Sequence, residues 1–276
     1  MPVDITSPAN PIFKSLKSLI EKKGRKTEGL FLAEGLRVCT EALQSGHIPQ
    51  YLIFAAEAEA HPLTAALIAA TTAGGGMAIR STRDLLHRLT GKDNPQAVAA
   101  AYAIPDTSLA RIDRTTARLW VVAENLRDPG NFGTMLRTCD ATGAGGVILL
   151  DQCCDPFSLE AVRASMGALF TRRIAQASGA DFFAWLRRAP AQLVGAALDG
   201  HTTDYRAHRF TAPSFIMMGN EQAGLPPGYT AHCDALVKLP MKGTADSLNV
   251  AVAAAVLLYA ALGQFEPLPL SGPAGA

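Results

Sequence analysis

The chain has 276 residues, 49% of them hydrophobic, and its 25 Lys and Arg against 24 Asp and Glu leave a formal net charge of +1. That length exceeds one average domain, so two compact globular units are expected, and a net charge near zero neither demands nor excludes a polyanionic partner. The longest apolar stretches are broken by Gly, Asn or charges and the start, "MPVDITSPANPIFKSLK", lacks the apolar core of a secretion signal, so a cytoplasmic protein with no membrane contact is expected. The five cysteines, Cys39, Cys139, Cys153, Cys154 and Cys233, contain no Cys-x-x-Cys pair, which argues for reduced thiols and against a disulfide framework or a metal site.

In chain order, "FKSLKSLIEKKGRK" reads first as a helix. Ile12, Phe13, Leu16, Leu19 and Ile20 keep helical spacing on one face, while Lys14, Lys17, Lys22, Lys23, Arg25 and Lys26 make the other cationic. Such a face is either an ordinary solvated one or an RNA contact. Next come a strand, "LFLAEG", a helix through Leu36, Val38, Ala42 and Leu43, a strand, "YLIFA", and a helix, "HPLTAALIAATTA". "MAIRS", a helix over Thr82 to Leu89, and "AVAAAYAI" complete an α/β unit over residues 1–105. The polar "PDTSLARIDRTTAR" reads as a linker over 106–118, and the tail 267–276 as disordered.

The second unit, 119–266, opens with the strand "LWVVAEN", a turn at Asp128-Pro129-Gly130, a helix from about Phe132 to Thr142 and the strand "GGVILL": strand, crossover helix, parallel strand. Ligands of such sheets gather at the C-terminal ends of strands. Asn131 stands where an N-cap would, and Arg137 follows in the same helix. "FIMMGNEQAGLP" is a strand ending in Gly219-Asn220-Glu221, and "ALVKLPMKGTADSLNVAVAAAVLLYAAL" is a strand, a loop in which Asp246 or Ser247 can cap, and a nearly all-apolar helix over Val250 to Leu262. That helix is apolar on too many sides for the surface of a monomer, so it is buried either within the chain or against a second copy. Polar residues thus follow three strand ends.

These three stretches, in this order, resemble the three motifs of the SpoU (TrmH) family of RNA ribose 2′-O-methyltransferases in the SPOUT superfamily: Asn131 to Arg137 in "NFGTMLR", Glu221 in "GNEQAGL", and Ser247 with Asn249 in "SLNVAVA". The front end, "NPIFKSLKSLIEKKGRKTEGLFLAEGLRV", is similar to the substrate-binding domain of many members. The resemblance implies a small N-terminal α/β RNA-binding domain followed by a SPOUT α/β domain with a C-terminal trefoil knot, S-adenosylmethionine as cofactor, a homodimer, and ribosomal RNA, or transfer RNA, as substrate. It implies catalytic roles for Arg137, Asn131, Glu221, Ser247 and Asn249. Arg137 would clamp an RNA phosphate and stabilise a developing oxyanion, because an arginine is practically never deprotonated in a protein; Asn131 would hold the ribose or orient Arg137. Cofactor contacts fall to Gly219, Asn220, Leu239, Met241 and Leu248, and RNA contacts to Lys14, Lys22, Lys23, Arg25, Lys26 and Arg137. Two other readings compete. A catalytically idle RNA-binding protein on this fold is disfavoured by the intact motif residues, and a dinucleotide-dependent oxidoreductase by "GAGGV", which lacks the G-x-G-x-x-G spacing and precedes a strand.

Overall fold

A computed structural model describes residues 1–91, 96–198 and 202–266; the expected disordered tail, 267–276, lies outside the described residues. The chain forms two compact units, one of 1–105 with 155–171, the other of 106–154 with the chain from 172 onward.

The first unit holds β1 (Val3–Asp4), α1 (Pro11–Ser18), α2 (Lys22–Glu28), β2 (Leu30–Glu34), α3 (Leu36–Gln44), β3 (Tyr51–Ala55), α4 (Pro62–Ala73), β4 (Met77–Ser81), α5 (Arg83–Thr90) and β5 (Val98–Ala103). Its sheet runs β1-β4-β3-β5-β2, parallel through β3 and antiparallel at β5 and β2. The amphipathic first segment is two helices rather than one. The break at Leu19–Glu21 leaves the Leu19 and Ile20 carbonyls without helical partners, and Arg25 answers them: its Nη1 donates to both, each at 2.7 Å. Its Nη2 pairs with Asp155 Oδ2 at 2.7 Å, and the residue is only 4% exposed. Arg25, expected as an RNA contact, is therefore a buried structural group. Lys14, Lys17, Lys22, Lys23 and Lys26 are exposed.

The first unit ends at 105, as expected, but takes in a second segment from further along the chain. The segment 155–171, which contains α7 (Leu159–Ser165), packs with the first unit because its apolar side chains find their cover there. Leu159 joins the core made by Phe13, Leu16, Leu32 and Ile53, Phe157 lies 5.2 Å from Phe31, and Phe170 lies 4.8 Å from Tyr102 between ring centroids. A second ion pair, Arg163 with the buried Glu34, holds the other end. Cys39 and Cys139 are buried, and none of the five cysteines is in a disulfide.

The second unit continues with β6 (Leu119–Glu124), α6 (Pro129–Thr142), β7 (Gly146–Leu150), β8 (Arg173–Ala177), α8 (Gly179–Leu186), β9 (Gln192–Ala196), β10 (Thr203–Asp204), β11 (Ser214–Met218), α9 (Pro227–Thr230), β12 (Ala235–Lys238) and α10 (Val250–Phe265). Among the described residues its sheet has seven strands, all parallel, in the order β10-β12-β9-β11-β6-β7-β8. Parallel strands are covered on both faces, which is why "LWVVAE", "GVILL" and "SFIMM" read as unbroken apolar runs and are buried throughout. Trp120, Phe182, Trp185 and Phe215 fill one face. The stretch 106–118 belongs to this unit: Ile112 enters the same core, and buried Arg114 stacks over Trp185 at 4.0 Å. Its guanidinium donates to the Trp185 and Leu186 carbonyls, capping the end of α8 where a helix leaves acceptors and a partial negative charge.

Connections leave β6 and its neighbour β11 in opposite directions, β6 towards β7 and β11 towards β12 on the other side. That reversal opens a crevice at their C-terminal ends. The last helix, α10, follows β12, next to the edge strand β10, yet returns to pack on α6, β11 and β6. The chain from 239 to 249 therefore comes back over the same sheet.

Candidate active site

The end of β6 carries Glu124, buried, then Asn125 in the left-handed region at φ 53°. The turn that follows starts α6 earlier than the sequence suggests. Asp128 is the N-cap, accepting the Asn131 N–H at 2.5 Å, with Pro129 in the first turn where its missing N–H costs nothing. Asn131, expected as the cap, lies inside the helix with its side chain released for other work. Likewise Asn249, rather than Asp246 or Ser247, caps α10, its Oδ1 accepting from the N–H groups of Ala251 and Val252 at 2.9 and 3.3 Å.

That cap sets the direction of a chain of hydrogen bonds. With Asn249 Oδ1 occupied by backbone donors, its Nδ2 faces outward and donates to Asn131 Oδ1 at 2.9 Å. Asn131 must then present Nδ2 on its other side, where it donates to Glu221 Oε1 at 3.3 Å. The run ends on a carboxylate, a group that only accepts when ionised. Side chains from the three motifs, far apart in sequence, thus meet in one network at the crevice. The amide of Asn131 is engaged by Glu221 and Asn249 and makes no bond to Arg137, so the expectation that it orients Arg137 is not met.

Beside this network lies a cavity of about 560 Å³, lined among others by Met218, Gly219, Leu239, Met241, Leu248 and Leu257. Asn220, Glu221 and Ser247 also line it, so every residue expected at the cofactor faces this space. A side chain at Gly219 would run into the Gly224 and Leu225 backbone; glycine is required there by the fold of its own loop. The Asn220 side chain, by contrast, is consumed within that loop. Its Oδ1 accepts from the Gln222 and Ala223 N–H groups at 3.0 and 3.1 Å, and its Nδ2 donates to the Asn125 carbonyl at 3.0 Å.

Arg137 stands apart from the cavity lining. It is exposed, about 9 Å along α6 from Asn131, and has no hydrogen-bond or ion-pair partner among the described residues. The RNA-assigned lysines lie in the other unit.

Three acidic or phenolic groups at this mouth have no assigned role from sequence. Burial, then the neighbouring Asp151 carboxylate, raises Glu124 above the usual carboxylate range. Asp151 accepts from the Tyr229 hydroxyl and from the Gly179 N–H, tying α8 and α9 to the end of β7. Burial pushes the Cys153 thiol up to about 11, so Cys153 is a neutral packing group. The signal that could have found Glu124 is a lone acid closing an otherwise apolar parallel strand. Among the described residues no group of three or more His, Cys, Asp or Glu could hold a metal ion, and no helix is long and apolar enough to cross a membrane.

The parallel α/β fold that carries this network is shared with known proteins. Residues 118–259 match the model of the SpoU rRNA Methylase family and residues 10–100 that of the MRM3-like substrate binding domain. The chain belongs to the SpoU rRNA methylase family. It is 31% identical over 255 residues to the 23S rRNA (guanosine(2553)-2′-O)-methyltransferase of Bacillus subtilis, covering 92% of this chain and 97% of that one. It is 32% identical to the 23S rRNA (uridine(2479)-2′-O)-methyltransferase of Streptomyces viridochromogenes, covering 92% and 90%. Among solved structures, the AdoMet-bound rRNA methyltransferase from Sinorhizobium meliloti superposes with a TM-score of 0.87 at 38% identity, covering 94% of this chain and 97% of that one.

Proposed function

We propose that this chain methylates a ribose 2′-hydroxyl of RNA, taking the methyl group from S-adenosylmethionine, with ribosomal RNA as the substrate class. The observation that carries the reading is the joining of Asn131, Glu221 and Asn249 into one hydrogen-bonded network at the edge of the 560 Å³ cavity. An idle fold would have no reason to keep these polar groups assembled at a mouth where water competes for each of them.

The cavity suits the cofactor. Met218, Leu239, Met241, Leu248 and Leu257 offer apolar cover for an adenosyl group, and the turns at Gly219 and Leu239 bring main-chain donors and acceptors to its wall. When bound, S-adenosylmethionine supplies a sulfonium methyl group. The residues of this chain then have to hold the ribose oxygen in line and exclude water, since positioning accounts for much of the rate in such transfers. Asn131 keeps one amide hydrogen and one carbonyl lone pair beyond the network, enough to orient a ribose hydroxyl. Arg137, a free cation with five donors, would grip a phosphate bidentately and stabilise negative charge on the attacking oxygen, leaving the proton to a phosphate or a water. Ser247 adds a hydroxyl to the wall.

The finer architecture belongs to the same proposal. The return of the chain from β12 to place α10 on α6, β11 and β6 supports a trefoil knot built from the 239–249 segment. The exposed apolar residues Leu248, Val252 and Tyr259 support a homodimer that covers this face of α10. The exposed lysines of α1 and α2 support the first unit as the RNA-holding one, in a protein of the cytoplasm. Mapping 2′-O-methyl groups in RNA from a strain lacking the protein, together with calorimetry of cofactor binding, tests the proposal. Loss of methylation at a ribosomal RNA ribose and binding of S-adenosylmethionine are expected; an unchanged methylation map, or binding of NAD alone, would overturn it.

A further inference from the structure

We propose that Asn220 is a positioning residue, which holds Glu221, and through it Asn131, in working geometry by clamping the loop after β11 to the end of β6. The proposal rests on the methyltransferase reading and deepens it.

An asparagine side chain offers two donors and two acceptor lone pairs. At Asn220 both lone pairs of Oδ1 are taken, by the N–H groups of Gln222 and Ala223. Nδ2 donates to the Asn125 carbonyl at 3.0 Å and points its second hydrogen towards Glu221 Oε2 at 3.5 Å. Nothing is left over for a cofactor or an RNA. Although Asn220 lines the cavity, its side chain can influence the reaction only through the groups it holds.

Those groups are the ones that matter. The backbone closes the same loop, with Gly224 N–H donating to the Asn220 carbonyl at 2.9 Å. On the β6 side, Asn125 adopts a positive φ, a conformation asparagine tolerates better than most residues. Glu221 follows Asn220 directly in the chain, and its carboxylate accepts from Asn131 on one side and faces the Asn220 amide on the other. Continuous hydrogen bonding therefore runs from β6 through Asn220, Glu221 and Asn131 to the Asn249 cap of α10. Cutting it at Asn220 frees Glu221 while leaving the cavity wall of Leu239, Met241 and Leu248 in place.

The test compares Asn220→Ala and Asn220→Asp in the full-length protein, each also combined with Glu221→Ala. Asn220→Asp keeps an acceptor for the Gln222 and Ala223 N–H groups and loses the donor to Asn125, so it supplies an intermediate case should the alanine variant fold poorly. At saturating S-adenosylmethionine, single-turnover methyl transfer should fall about tenfold or more in Asn220→Ala and less in Asn220→Asp, with cofactor Kd staying within about threefold of the parent. In the Glu221→Ala background the same change should cost less than about twofold, because residues acting in series are not additive. A rate within twofold of the parent, a loss wholly in cofactor Kd, or the full tenfold effect persisting without Glu221 would overturn the proposal. Hydrogen exchange separates this from failure of the functional reading: if the parent methylates no RNA, Asn220→Ala must still speed exchange of the Gln222 and Ala223 amides, and unchanged exchange overturns the clamp itself.

Discussion

Arg25 and Arg137 are both RNA candidates by sequence, and the fold treats them in opposite ways. Arg25 reaches back from α2 to the break between two short helices, and two carbonyls and one carboxylate use its guanidinium in a site 4% exposed to solvent. Arg137 lies on the outer side of a regular helix whose backbone satisfies itself, so no protein acceptor reaches it among the described residues. A guanidinium serves structure where the chain leaves acceptors unfilled around it, and is available to a ligand where secondary structure has already filled them.

Substitution sharpens that contrast. Arg137→Ala should slow methyl transfer about a hundredfold or more, in line with loss of a transition-state donor, with little change in thermal stability. Arg137→Lys should recover little of it, since an ammonium lacks the planar fork; near-parental turnover of either variant in single-turnover assays would remove Arg137 from the reaction. Arg25→Ala should act in reverse, costing about 2–4 kcal/mol of stability by leaving Asp155 and two carbonyls unmatched. Denaturant titration checks this, and a drop in RNA affinity with no loss of stability would return Arg25 to the RNA surface.

Smaller effects test the lysines and the buried acid. Replacing Lys14, Lys22, Lys23 and Lys26 together by Ala should weaken RNA binding and flatten its salt dependence, by about one unit of slope for each phosphate no longer neutralised. Unchanged affinity and slope would make this an ordinary solvated face. The substitution also leaves Arg25 and its pairing with 155–171 intact. Deleting residues 1–105 would instead uncover Phe157, Leu159 and Phe170, so truncation does not isolate RNA binding in this protein. The smallest effect concerns Glu124, which burial and Asp151 raise. A raised folded-state pKa means that Glu124 contributes stability below the ordinary glutamate range, and that this contribution disappears as pH rises through the folded value. Glu124→Gln, which cannot titrate, should flatten the part of the stability–pH curve that lies above the ordinary glutamate value of about 4.3. An unaltered curve would place the titration elsewhere.

Much of the strand and helix order was legible because the periodicities are strong: "LFLAE", "YLIFA", "LWVVAE" and "GVILL" are strands, and the apolar last helix runs from Val250. Caps were less legible. In "RDPGN" and in "DSLN" several residues can accept backbone N–H groups, and which one does depends on where the preceding chain enters the helix. The resulting error at Asn131 has functional weight, since a capping asparagine would have spent its side chain on the backbone.

By itself the sequence determined the parallel α/β character of the second unit and the three polar strand ends, because both follow from local patterning and from motif residues close together in the chain. Only the tertiary structure decided that 155–171 completes the first unit's core, that Arg25 is buried, and that Asn220 is fully consumed. Each of these depends on hydrogen-bond or apolar partners whose proximity the fold creates. The polarity of the Asn249–Asn131–Glu221 run was decided in the same way: one helix cap, reached across the sheet, dictates which end of each amide faces the next.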